Sequence, residues 1–225
     1  LKRHLFRLIV SFLLLSIAIP ASAGLLGGEI GWSCLGNGRY VFHMKLFRDC
    51  DQAAFSFQNE IVQIKSSSLP LSNTNQTISS IALKPDSNRW INRRSGEVTP
   101  TACQANNARF RCANGDVEAM QQFFYESDPI VLKGPVPQDG WTFYYKPTYA
   151  RKVVANLRDS LPFILRAKMY PGSASSPGIC FDSSPLFLAL PDKLFCAGGE
   201  ITNNFSAVDQ DLDSLSFHFD STLAM

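Results

Sequence analysis

Histidine is scarce here, with 3 in 225 residues, and no two of them stand at a metal-ligand spacing. No G-x-S-x-G elbow is present, so a Ser-His-Asp hydrolase would have to use His43 or His218. Each of those lies in an alternating pattern that reads as strand, and the expectation is a satisfied strand histidine and no enzyme. No Cys-x-x-Cys pair occurs, which argues against zinc. Charged residues make up only 18%, and neither sign dominates. Lys2, Arg3 and Arg7 sit in an amino-terminal segment expected to be removed, leaving 21 − 3 = 18 basic against 19 acidic residues, a net of −1. That balance offers no electrostatic case for nucleic acid. Beyond the first 20 residues no apolar run approaches the roughly 20 residues of a membrane-crossing helix, so the mature chain is expected not to span a membrane.

What is present is a globular composition, 45% hydrophobic, in a chain long enough for one or two domains. Residues 1–23 combine a basic start, an apolar run from Leu8 to Ile19, Pro20 and then Ala21-Ser22-Ala23, the layout of a secretory signal peptide cleaved before Gly24. An exported chain with an even number of cysteines is expected to be oxidised. Cys103 and Cys112 enclose a short loop and Cys180 and Cys196 are similarly local, which favours those pairs among about 15 connectivities. Cys34 and Cys50 then pair by elimination. A straight hairpin would set them about 30 Å apart, so that bond needs a strand that bends.

The clearest periodicity runs from Gly27 to Cys50. Ile30, Trp32 and Cys34 alternate with polar or small residues, Gly36-Asn37-Gly38 supplies a tight turn, and Tyr40, Phe42, Met44 and Leu46 alternate again, which predicts a β-hairpin. Further strands are expected around Phe55 and Phe57, around Ile61 and Ile64, over Ile78–Leu83, over Trp141–Tyr145 and over Leu161–Tyr170, while Val117, Met120 and Phe124 stand at helical spacing. Trp141, Phe143, Tyr145 and Tyr149 form an aromatic row, either a buried sheet face or a sugar-stacking platform. Asp209, Asp211 and Asp213 alternate, so three carboxylates on one side form a candidate Ca²⁺ site with oxygen ligands.

The block GGEIGWSCLG followed by an aromatic strand ending in Arg48-Asp49-Cys50 resembles the amino-terminal module of gliding-motility-associated and PKD-repeat surface proteins of Bacteroidota, exported by the type IX system. The resemblance continues in order through Gly140-Trp141-Thr142-Phe143, Arg151 to Leu157, Ser183-Ser184-Pro185 and Ala207 to Ser214. It implies an immunoglobulin-like β-sandwich over 24–172, with a strand rather than a helix from Val117 into Leu132 and so no helix, then a linker and partial cadherin-like or PKD-like β domain over 173–225. It also implies a secreted or outer-surface location and a non-catalytic structural or adhesive role, with cell-surface components or extracellular glycans as partners. In cadherin-like repeats an Asp-x-Asp of this kind meets a linker carboxylate at Ca²⁺, the place that Asp182 takes here, although resembling sequences carry glycine at the position of Leu212. A carbohydrate-binding module of a secreted polysaccharide-degrading system is the alternative.

Overall fold

Gly36, Asn37 and Gly38 all take positive φ, at 81°, 53° and 68°, which two glycines and an asparagine tolerate at little cost. The amide of Leu35 reaches the Arg39 carbonyl across this turn at 2.8 Å. It joins β1 (Leu25–Cys34) to β2 (Arg39–Asp49) in an antiparallel hairpin, with Trp32 opposite Phe42 and Cys34 opposite Tyr40. Period two then decides what is buried: Tyr40, Phe42, Met44 and Leu46 are all buried on one face, and Trp32 joins them. In this computed structural model the described residues are 24–51, 58–86, 96–98 (backbone only), 112, 119–147, 164–172, 182–189, 191, 198, 200, 202 and 206–218.

The remaining strands are β3 (Glu60–Lys65), β4 (Ser80–Pro85), β5 (Gly96–Val98), β6 (Met120–Glu126), β7 (Ile130–Val131), β8 (Trp141–Tyr145), β9 (Leu165–Met169), β10 (Leu186–Phe187) and β11 (Ala207–Val208). The fold is all β, as the alternating patterns predict. Hydrogen bonding runs in the order β1-β2-β6-β4-β3-β8-β9, with β5 beside β6 and β7 beside β2. Setting those two short strands aside, β1-β2-β6-β4 and β3-β8-β9 follow the A-B-E-D and C-F-G order of an immunoglobulin-type sandwich. β4 links the layers. Its first residues pair with β3 and its last two, Lys84 and Pro85, with β6, and proline is tolerated at such a corner because it has no amide hydrogen to donate.

The layers meet through aromatic rings. Phe143 of β8 lies 4.7 Å from the Phe42 ring and 5.5 Å from that of Trp32, tilted contacts that add to the burial of large apolar surface. Val62, Ile64, Ile81, Leu83, Tyr125 and Met169 complete this core. The strand expected around Ile61 and Ile64 is β3, in which the two residues, three apart, face opposite sides, with Ile61 57% exposed and Val62 buried beside Ile64.

The disulfide expectations also change. Cys50 is bonded to Cys112, across a sequence separation of 62, which overturns both Cys103–Cys112 and Cys34–Cys50. The physical reason is the placement of β6 beside β2: the Cys50 amide donates to the Ala119 carbonyl at 3.2 Å, so the chain leading into β6 passes the end of β2. Cys34 is disulfide-bonded as well, to a cysteine outside the described residues. Cys103, Cys180 and Cys196 lie outside them, as do Phe55, Phe57 and the signal segment 1–23.

Candidate functional site

Residues 182–189 and 206–218, which include the antiparallel pair β10–β11, form an arm, and its Ser183-Ser184 lies on the free edge of β1. Edge strands expose unpaired amides and carbonyls that invite aggregation unless covered. Here Ser184 covers them twice over. Its amide donates to the Trp32 carbonyl at 3.0 Å, and its Oγ accepts from the Trp32 amide at 2.8 Å. Ser183 Oγ accepts from the Cys34 amide at 3.1 Å, the Trp32 indole donates to the Asp182 carbonyl at 3.1 Å, and Lys45 Nζ donates to the Phe187 carbonyl at 3.0 Å. This close approach requires Gly31, where a Cβ would stand 2.3 Å from Ser184 Oγ.

The four carboxylates of the candidate Ca²⁺ site gather behind this contact. Asp211 Oδ2 accepts from the Ser183 amide at 2.6 Å. Asp209 Oδ1 accepts from the amides of Asp211 at 2.8 Å and Asp213 at 3.2 Å, so two of the four acids already organise the loop. Burial first, and then Asp211, Asp209 and Asp213, push the Asp182 carboxyl up to about 6. The Tyr40 phenol is pushed up to about 12 by burial and, secondarily, by Asp182. Among the described residues no group of three or more His, Cys, Asp or Glu side chains is placed to hold a metal ion.

Stability should follow the Asp182 titration. A carboxyl that holds its proton more tightly in the fold than in the unfolded chain makes the folded state the better proton binder, so stability falls as pH rises from about 4 through 6 and then levels off. Because Asp182 is half-buried and solvent screens its interactions in part, the drop is expected to be about 1 kcal/mol, well below what the full shift would imply. Urea melts from pH 4 to 8 should show this slope, and Asp182→Asn should reduce it; an unchanged slope in the variant would remove Asp182 as its source.

Leu212, between two of these acids, is 91% exposed and takes φ +64°, a conformation that costs a non-glycine residue about 1–2 kcal/mol. Leu212→Gly is therefore expected to leave the free energy of unfolding, measured by urea melts, unchanged or raise it by up to about 1 kcal/mol after the greater freedom of the unfolded glycine is counted. A clear loss of stability would show that the strain is not relieved there.

The aromatic row is divided by burial. Trp141, Phe143 and Tyr145 are 2%, 0% and 2% exposed, so none offers a ring face to a sugar; they are packing residues, and the Trp141 indole is tied to the Ser68 carbonyl at 2.8 Å. Tyr149 lies outside the described residues. The histidines part company too. His43 stays on β2, its Nε2 3.2 Å from Ser33 Oγ and its ring 6.3 Å from that of Phe124, whereas His218 lies in an exposed segment without regular structure. A cavity of about 60 Å³ opens between the hairpin and the arm, walled in part by His43, Lys45, Phe124 and Phe187. That is room for a few waters, and far below the roughly 300 Å³ at which ligand pockets begin.

Sequence reasoning missed the role of Ser183-Ser184, although Gly31 signalled it: a glycine inside a strand pattern often marks a close backbone approach. No helix of the described residues is long and apolar enough to cross a membrane. Comparison of the chain with protein-family models, with curated proteins and with solved structures found no match.

Proposed function

We propose that this chain is a non-catalytic structural module of a secreted or cell-surface protein, serving as a spacer and attachment unit. The observation that carries the reading is the Cys50–Cys112 disulfide in an all-β sandwich, because such bonds persist in oxidising, extracytoplasmic compartments and brace folds against unfolding there. The arm adds to it. By covering the β1 edge, it makes one unit of segments that a spacer has to keep together under tension. The resemblance to gliding-associated and PKD-repeat surface proteins points the same way, and the expected partners are cell-surface components. The carbohydrate-binding alternative loses its main support with the burial of Trp141, Phe143 and Tyr145. Ca²⁺ at Asp182, Asp209, Asp211 and Asp213 is proposed only as an accessory of the arm, supported by the mutual repulsion of these carboxylates.

The test uses oxidised protein from residue 24 onward, coated on beads. Retention on cells of the source organism, with no saturable signal on a glycan array, is the expected result. Saturable binding of a defined glycan would replace this reading with the carbohydrate-binding one. A melting temperature that rises in millimolar Ca²⁺, and no longer does so in Asp211→Asn, would support the accessory ion, and identical melts in Ca²⁺ and chelator would remove it.

A further inference from the structure

We infer that Cys34 is disulfide-bonded to Cys180, which staples the arm covalently to the edge strand it covers. Cys34 is disulfide-bonded and Cys50 is taken by Cys112, so the partner is Cys103, Cys180 or Cys196. All three lie outside the described residues, and the reach of the chain from its described neighbours separates them.

Cys103 is too far away. Cys34 stands opposite Tyr40 at the turn end of the hairpin, while Val98 stands opposite Met120, which in turn stands opposite Asp49 at the other end. From Tyr40 to Asp49 is 49 − 40 = 9 residues, about 30 Å along a strand. From Val98 to Cys103 is 103 − 98 = 5 residues, a reach of at most about 18 Å even fully extended. A disulfide spans no more than about 7 Å between Cα atoms, so Cys103 falls short of Cys34.

Cys180 is close. It precedes Ser183 by 183 − 180 = 3 residues, and Ser183 Oγ is bonded to the amide of Cys34 itself, leaving about 10 Å of chain to span. Ser184 sits at Trp32 and Phe187 at Lys45, which pairs with Glu29. The arm over Ser183–Phe187 therefore runs antiparallel to β1, with Ser183 at its Cys34 end. Cys196 is 196 − 188 = 8 residues beyond Leu188, and Leu188 follows Phe187, which already stands at Lys45 and so at the Glu29 level of β1. The shorter tether closes at lower entropic cost. Forming the bond removes one hydrogen from each thiol, and the two protons and two electrons pass to a disulfide-carrying oxidant of the exporting compartment, which is reduced to a dithiol. The pairing also excludes the local Cys180–Cys196 bond that spacing alone favours.

Trypsin places the six cysteines on six different peptides, so one digest decides the matter. Oxidised protein, alkylated before digestion, should yield the peptide ending at Arg39 linked to the peptide of residues 169–193. Linkage of the Arg39 peptide to residues 194–225 or 95–109 would overturn the assignment. In Cys180→Ala, a maleimide should label the Arg39 peptide as the one newly exposed thiol, whereas label on another cysteine peptide would overturn it as well.

Discussion

Replacing Cys50 and Cys112 together by serine is expected to lower the stability of the oxidised protein by about 4 kcal/mol. The bond closes a loop of 62 residues, and the chain-entropy account assigns a crosslink of that span about 4 kcal/mol through its restriction of the unfolded state. The size of the loop matters because 62 residues that would otherwise explore freely include β3, β4 and β5. Urea melts of the wild type and the double variant give the difference directly. A loss below about 1 kcal/mol would mean that strand pairing between β2 and β6 alone holds those ends together, and the brace would then have little part in the stability of the fold.

Phe143→Ala should cost as much through another cause. The ring is fully buried, contacts Phe42 and Trp32 and lies where the two layers meet, so truncation leaves a cavity between them worth about 3–5 kcal/mol. Its neighbour Tyr144 faces the other way and bonds Gln63 through its hydroxyl. Tyr144→Ala is expected to cost under about 1 kcal/mol, the range of a cross-strand pair. Near-equal losses for the two variants would contradict the assignment of inner and outer faces on β8.

Most of the fold was legible because period two is a strong signal when both faces differ. Tyr40 through Leu46 and Trp141 through Tyr145 bury the residues that alternation selects, and in β9 Met169 is buried while Leu165 and Ala167 pack half-buried against the core. Ile61 and Ile64 marked β3, and their spacing of three places them on opposite faces of it. The disulfides were not legible from spacing, since the partner of Cys50 depends on which strand is laid beside β2. The aromatic row illustrates the limit of the same signal: alternation identified the face without saying whether solvent or a second layer lies against it. The carboxylates were legible as a group, and Asp182 does feel Asp209, Asp211 and Asp213. Their hydrogen bonds to the loop's own amides were not, because those depend on the turn around Leu212.

The central claim is that sandwich and arm form one structural unit, and two tryptophans report on it separately. Trp32 is bonded to the arm through Asp182, and Trp141 lies in the opposite layer, bonded to Ser68. Equilibrium urea unfolding of the oxidised chain labelled with 5-fluorotryptophan, followed by fluorine NMR with Trp32→Phe and Trp141→Phe to assign the signals, reads each site in turn. The account predicts that both native resonances vanish with the same midpoint. Loss of the Trp32 signal at clearly lower urea, with Trp141 still native, would contradict it and make the arm a separate element resting on the sandwich.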